Sequence, residues 1–186
     1  MRALLVVAAT GAELCGHEGL VCGVGPVEAA AATARALALE PPAGVLHVGV
    51  AGATGIEPGT LVVGSESVYE DLSAAIPVTA RCSPDERLLA AARAALPAAS
   101  CLEVVTSAAV STASTSLPQS PARVEAMEGF GVLRACALAG VPAVEVRAVS
   151  NAIGEADRSC WRITEALAAL GAALPGLVEA LDDALG

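Results

Sequence analysis

Two strand-like segments that end in polar residues, joined by an alanine-rich helical run, constrain this chain more than any other feature. The first, Val124-Glu125-Ala126-Met127-Glu128-Gly129, predicts a short strand ending at Met127-Glu128, with Gly129 opening a helix that runs to about Gly140. The second, Ala143 to Ser150, predicts a buried strand that stops at Asn151. Together they have the pattern of a βαβ half-unit. In open α/β sheets ligands bind at strand ends, so a carboxylate at one end and a carboxamide at the next would face one crevice. Alone, Glu128 fits equally well as an acid favoured by a helix N-terminus; its pairing with Asn151 points to a site.

The 186 residues suffice for one domain with a sizeable core, and residues 1–186 are taken as a single domain. Hydrophobic residues make up 55 %, but Ala and Gly supply much of that, and no run reaches the roughly 18 to 20 residues needed to span a bilayer without polar interruption. The start, Arg2 to Ala9, resembles a signal peptide, yet it ends at Thr10-Gly11-Ala12-Glu13 and serves better as a core strand. A cytoplasmic protein that binds no membrane is expected. A net charge of −10 with no basic stripe excludes nucleic acid as a partner. All ten cations are arginine, which excludes both a phosphate-loop lysine and a Schiff-base lysine. The six cysteines form no C-x-x-C pair and only two histidines are present, so no metal site is expected.

Taken in order, the apolar run to Ala9 predicts a parallel strand covered on both faces, with Glu13 just past its carboxyl end. Gly23-x-Gly25 precedes a helix from Pro26 to Leu39, with proline in its first turn. That pair invites a dinucleotide reading, but the third glycine is missing and Glu28 in its place would repel a pyrophosphate. No cofactor is expected. Val45 to Val50 predicts a strand running into the glycine-rich stretch Gly49 to Gly55, where backbone and ligand can approach closely, a tight turn being the plainer alternative. Leu61 to Val68 and Cys101 to Thr106 are further strands, and a helix from Pro84 to about Leu96 has Ser83 as its expected N-cap. A hydroxyl-rich loop, Ser107 to Ser116, follows a strand end, and a helix from Ser159 to Leu185 carries a potential break at Pro175-Gly176. The expected architecture is a three-layer α/β fold with a mostly parallel central sheet.

With Glu13, Gly49-Val50-Ala51-Gly52, Val124 to Gly129 and Val146-Arg147-Ala148-Val149-Ser150-Asn151 in this order, the chain resembles the nucleoside phosphorylase and methylthioadenosine nucleosidase superfamily. The likeness covers nearly the whole length and implies a nucleoside phosphorylase-like fold. Ser150-Asn151-x-x-Gly154, then Asp157-Arg158 and Trp161-Arg162-Ile163, resembles its futalosine hydrolase branch. The resemblance implies cleavage of an N-ribosidic bond, with futalosine giving hypoxanthine in menaquinone biosynthesis. It implies that Glu13 activates water, that Met127 and Glu128 hold the ribose, and that Asn151 binds the purine. The backbone of Ala51 and Gly52 would line the base or water pocket. Phe130, Thr112 and Arg158 complete the expected substrate contacts, Phe130 having a core position as its alternative and Arg158 a solvated helix start. A homo-oligomer, dimer or tetramer, is the expected assembly.

The chemistry suits these residue types. N-ribosidic cleavage passes through an oxocarbenium-like state that carboxylates stabilise. An Asn cannot protonate N7 as an Asp can, but it can donate to O6 and accept from a protonated N7, which matches a 6-oxopurine. Relatives that use phosphate have a Ser at Val50, an Arg near His47 and a basic loop after the first strand; losing several charge-assisted bonds, each worth about 1.5–3 kcal/mol, favours hydrolysis. The alternatives are a methylthioadenosine/S-adenosylhomocysteine-type nucleosidase, a purine nucleoside phosphorylase, an inactive nucleoside-binding module and a structural oligomer subunit.

Overall fold

The computed structural model describes residues 4–109 and 123–186. Strand β1 (Leu4–Ala8) leads through a loop to β2 (Leu20–Val21) and helix α1 (Pro26–Leu39). Then come β3 (Gly44–Thr54), β4 (Leu61–Tyr69), β5 (Arg81–Cys82), α2 (Glu86–Ala95), β6 (Ser100–Thr106) and β7 (Arg123–Ala126). Helix α3 (Gly129–Ala139), β8 (Ala143–Ala152), a 3₁₀ turn (Arg158–Cys160) and α4 (Ile163–Leu185) complete the chain.

Eight strands form one sheet in which most pairings are parallel. Neighbouring residues of β1 point to opposite faces, so Val6 packs under α2 and α4 while Val7 packs under α1 and α3. This is why β1 is apolar throughout. On the α4 side, Ala166, Leu170, Leu174, Leu177 and Leu181 form a fully buried helical stripe. Each of those leucines contributes about 1.5–3 kcal/mol by leaving water. By length and composition alone the 158–185 segment is apolar enough to cross a bilayer; in this fold its leucine stripe covers the sheet.

Strands β3, β7, β6, β4 and β8 pair in a closed ring. Each contributes to a separate small core of Ala51, Ala53, Val62, Val104, Val124, Ala126 and Val149. Closure corrects one expectation: β7 runs antiparallel to β3 while β8 runs parallel to it, so β7–α3–β8 is not a parallel βαβ unit. Nor do residues 49–54 form a turn, because β3 continues through them to pair with β7 and β8.

Local signals shift too. Helix α2 is capped by Asp85, not Ser83, its carboxylate accepting from the N–H groups of Arg87 and Leu88. Helix α4 starts at Ile163 and runs unbroken through Pro175.

Candidate active site

The site grows out of an interruption in one edge of β3. Strand β8 follows the other edge from Val45 to Ala53, whereas β1 pairs only with residues 44–47 and β7 only with residues 52–54. Strands β1 and β7 therefore approach each other head to head, leaving Val48 to Ala51 without a strand on that edge. The chain leaving β1 supplies Glu13 and the chain leaving β7 supplies Glu128. A cavity of about 310 Å³ opens at this gap.

Glu13 closes the gap in place of a strand. Its Oε1 accepts the Val50 N–H at 3.0 Å, and its Oε2 accepts the Thr10 N–H at 3.0 Å and the Thr10 hydroxyl at 2.8 Å. The loop that presents it is a run of tight turns ending at Cys15, which adopts a left-handed φ of 50°. Burial pushes the Cys15 thiol up, so it stays protonated.

Glu128 lies opposite, buried between β7 and α3, and its Oε1 accepts the N–H of Gly25 at 3.0 Å. Gly25 has φ of 96°, a conformation open to glycine, and immediately precedes α1. The Gly23-x-Gly25 pair thus serves a carboxylate of the protein itself. Behind both acids lies Arg147, fully buried, with NH1 3.7 Å from Glu128 Oε2. Burial opposes its charge, but Glu145 and Glu128 outweigh that and hold its pKa above the ordinary value.

Asn151 lines the far wall. Its Oδ1 accepts the Ser150 hydroxyl at 2.7 Å and its Nδ2 donates to the Ala152 carbonyl at 2.9 Å. These contacts fix which end of the amide is which, and leave one N–H and one lone pair for a ligand. Gly52 sits in register with Glu125 on one side and Asn151 on the other. A Cβ at Gly52 would lie 3.0 Å from Asn151 Nδ2, so a larger residue would press on the amide.

Of the residues singled out in the sequence, Glu13, Ala51, Gly52, Met127, Glu128 and Asn151 all line this cavity. Two others do not. Phe130 packs in the α1/α3 core, stacked on Tyr69 with ring centroids 5.3 Å apart. Arg158 lies outside, its guanidinium over the ring of Trp161 at 5.6 Å. Thr112 falls outside the described residues. Sequence reasoning passed over Thr10, Glu125, Ile153, Ile163 and Leu167, which also line the cavity, and the role of Arg147 beneath it. Trp161, part of the Trp161-Arg162-Ile163 pattern, forms part of the wall and donates its indole N–H to the Glu155 carbonyl at 3.1 Å. Among the described lining residues three are glutamates and none is basic.

Comparison with known proteins agrees with this geometry. The family model for the phosphorylase superfamily matches residues 6–181. The chain belongs to that superfamily. A futalosine hydrolase of Streptomyces coelicolor is 39 % identical, the match covering 90 % of this chain and 80 % of the relative. Among solved structures, a futalosine hydrolase of Helicobacter pylori superposes with a TM-score of 0.84 at 17 % identity, covering 96 % of this chain and 97 % of that one. The methylthioadenosine/S-adenosylhomocysteine nucleosidase of Neisseria meningitidis, in complex with methylthio-immucillin-A, gives 0.81 at 22 % identity, covering 96 % and 99 %. At these identities the structural matches establish the fold, which is that of the nucleoside phosphorylases and nucleosidases. The sequence match places the chain with N-glycosyl hydrolases.

Proposed function

We propose that the protein hydrolyses the N-ribosidic bond of a purine nucleoside, and that its substrate is futalosine, the compound named for its Streptomyces coelicolor relative. One observation carries the reading: two buried carboxylates, Glu13 and Glu128, face a fixed carboxamide, Asn151, across a single cavity.

Glu13, anchored by three hydrogen bonds, takes a proton from water as the water oxygen bonds to C1′. The C1′–N9 bond breaks and its electron pair leaves with the base. Glu128 accepts hydrogen bonds from ribose hydroxyls through Oε2, its Oε1 being committed to Gly25, and its charge stabilises the oxocarbenium-like ring. A proton from solvent reaches N7 as the base leaves; Asn151 donates to O6 and accepts from the protonated N7, which selects hypoxanthine as the base. Water is the acceptor because a phosphate dianion would enter a cavity whose described walls carry three glutamates and no Lys or Arg.

The remaining assignments follow the same reading. Menaquinone biosynthesis is the proposed pathway. A cytoplasmic location fits six free cysteines. A homo-oligomer fits the exposed Val21, Val24 and Val27, of which Val24 lines the cavity.

The test is base release from a panel of purine nucleosides, with and without phosphate. Hypoxanthine and free ribosyl product should appear equally in both. Strict phosphate dependence with a sugar 1-phosphate product would overturn the hydrolase assignment.

A further inference from the structure

The guanidinium of Arg147 has three faces, and the protein holds two of them. Nε–H donates to Glu145 Oε1 at 2.7 Å, two residues back on the same face of β8. NH2 donates to His47 Nε2 at 2.5 Å, on the neighbouring β3. NH1 has no hydrogen-bond partner among the described residues, although it is fully buried.

His47 is fit for this task only in one form. Its Nδ1 bonds the Val7 carbonyl at 3.0 Å and must carry the proton, which leaves Nε2 as a bare acceptor. Complete burial, with Arg147 next to it, holds the imidazole well below its ordinary pKa and keeps that acceptor free. Glu145 is equally enclosed. A Cβ on Gly129, the first residue of α3, would come within 2.5 Å of Glu145 Oε2, so glycine is what admits the carboxylate beneath the helix start.

The consequence is visible at the third face. Unrestrained arginine–carboxylate pairs close to about 2.7–2.9 Å, yet Arg147 NH1 stops 3.7 Å short of Glu128 Oε2. It also lies over Gly49 with Glu13 Oε1: an added Cβ there would be 2.4 Å from NH1 and 2.8 Å from Oε1. An N–H pair held back from one acid and set beside another is available to whatever occupies the space between them.

We infer that Glu145 and His47 are positioning residues, a two-point clamp that withholds Arg147 from Glu128 and so keeps both carboxylates free for the reaction. The inference rests on the nucleosidase reading of the cavity. A buried ion pair is by itself weak evidence of either stability or function; what argues for the clamp is the division of the donors, with the face towards the acids left unused. Without Glu145, Arg147 would close on Glu128 and occupy the carboxylate that the reaction needs. The charged and titratable groups facing Arg147 are Glu145, His47, Glu128, Glu13 and the Cys22 thiol; burial and Glu128 push the thiol up to about 11, out of the working range.

The experiment compares wild type with Glu145→Leu, His47→Leu and His47→Gln. In steady-state hydrolysis of the nucleoside, Glu145→Leu should lose at least tenfold in kcat with KM within about threefold. His47→Leu should lose turnover similarly. His47→Gln, whose Oε1 can stand where Nε2 was, should run at least tenfold faster than His47→Leu. Crystal structures of wild type and Glu145→Leu need no substrate. The separation of Arg147 NH1 from Glu128 Oε2, 3.7 Å in wild type, should close to about 2.7–2.9 Å in the variant. A separation unchanged in Glu145→Leu, or equal rates for His47→Gln and His47→Leu, would overturn the clamp. Absence of base release by wild type would overturn the proposed function instead, and the crystal structures would still decide the clamp. If Glu145→Leu does not fold, the histidine pair decides it by the same readouts.

Discussion

The carboxylate of Glu13 accepts the N–H of Val50 at 3.0 Å, in the stretch of β3 that neither β1 nor β7 reaches. A side chain there does what a strand does elsewhere in the sheet. The acid is thereby held rigid without being enclosed, because the missing strand is also the entrance. In the proposed role of general base, Glu13 must meet water and a ribosyl carbon in one geometry, which needs both properties.

Glu128→Gln should abolish most turnover while leaving the fold intact. The amide oxygen can still accept the Gly25 N–H that Oε1 now takes at 3.0 Å, so the α1 start is preserved. The negative charge proposed to stabilise the ribosyl ring is lost, and losses of about 10²–10⁴-fold in kcat are expected for such a group. Turnover and thermal melting measured together check this. A change of about twofold with unchanged melting would reduce Glu128 to a helix-start acid.

Gly49→Ala tests how tightly the two acids and Arg147 are packed. The new methyl would sit 2.4 Å from Arg147 NH1 and 2.8 Å from Glu13 Oε1, and either can withdraw only by disturbing the hydrogen bonds that hold it. A destabilisation of about 1–3 kcal/mol is expected, with at least tenfold lower activity. Gly176→Ala is the matched control. It lies within α4 with nothing within 4 Å of its added Cβ, and it should raise stability by about 0.5–1 kcal/mol with activity unchanged. Melting temperatures and rates of the two variants separate a packing effect at the site from a general one.

Much of this arrangement could be read from the chain, and the failures share a cause. Strand ends are marked by the change from apolar to polar residues, which is how Glu13, Glu128 and Asn151 stand out in the sequence. What periodicity cannot carry is direction. Four residues of β7 look the same running either way, so the antiparallel pairing that brings Glu128 back towards Val50 was invisible. Phe130 misled because an aromatic residue two positions after a site glutamate can face the ligand or the core, and helix phase alone turned it onto Tyr69. Arg147 did leave a signal. Glu145 and Arg147 are spaced two apart in an otherwise apolar strand, which puts two charges on one buried face, and such a pair demands partners.

Acid should destabilise the protein through His47. Its folded-state pKa is held well below 6.5, first by burial and then by Arg147, whereas the unfolded chain protonates it normally. Below about pH 6.5 the unfolded state therefore binds the extra proton, and stability falls as pH falls, by up to about 1.4 kcal/mol per pH unit from this group. Glu145 opposes the trend: burial pushes its carboxyl up, so the folded state takes up a proton first. Denaturant unfolding between pH 7 and pH 5 in wild type and His47→Gln isolates the histidine. The variant should lose less stability over that interval, and equal losses would place the imidazole in contact with solvent.

Asn151→Asp should change which purine the enzyme prefers, and the local hydrogen bonds say how. The Asn151 amide faces the Ala152 carbonyl through Nδ2 at 2.9 Å and receives the Ser150 hydroxyl on Oδ1 at 2.7 Å. An ionised Asp would set an oxygen against the Ala152 carbonyl, so the variant carboxyl is held towards its protonated form. It can then satisfy Ala152 with its one proton, or give that proton to the purine N7, but not both. Against a 6-oxo base the variant has no N–H left for O6, and an acceptor left without a donor costs about 1–3 kcal/mol. Against a 6-amino base the same oxygen gains a donor from the exocyclic amine. Sites that hydrogen-bond a substrate group discriminate strongly when that bond is lost. The ratio of kcat/KM for futalosine over its 6-amino analogue should therefore fall at least tenfold, or about 1.4 kcal/mol. Hypoxanthine and adenine release from the two nucleosides, followed for wild type and variant, measures it directly. An unchanged ratio would put the purine edge elsewhere in the cavity and remove the basis for a 6-oxopurine substrate.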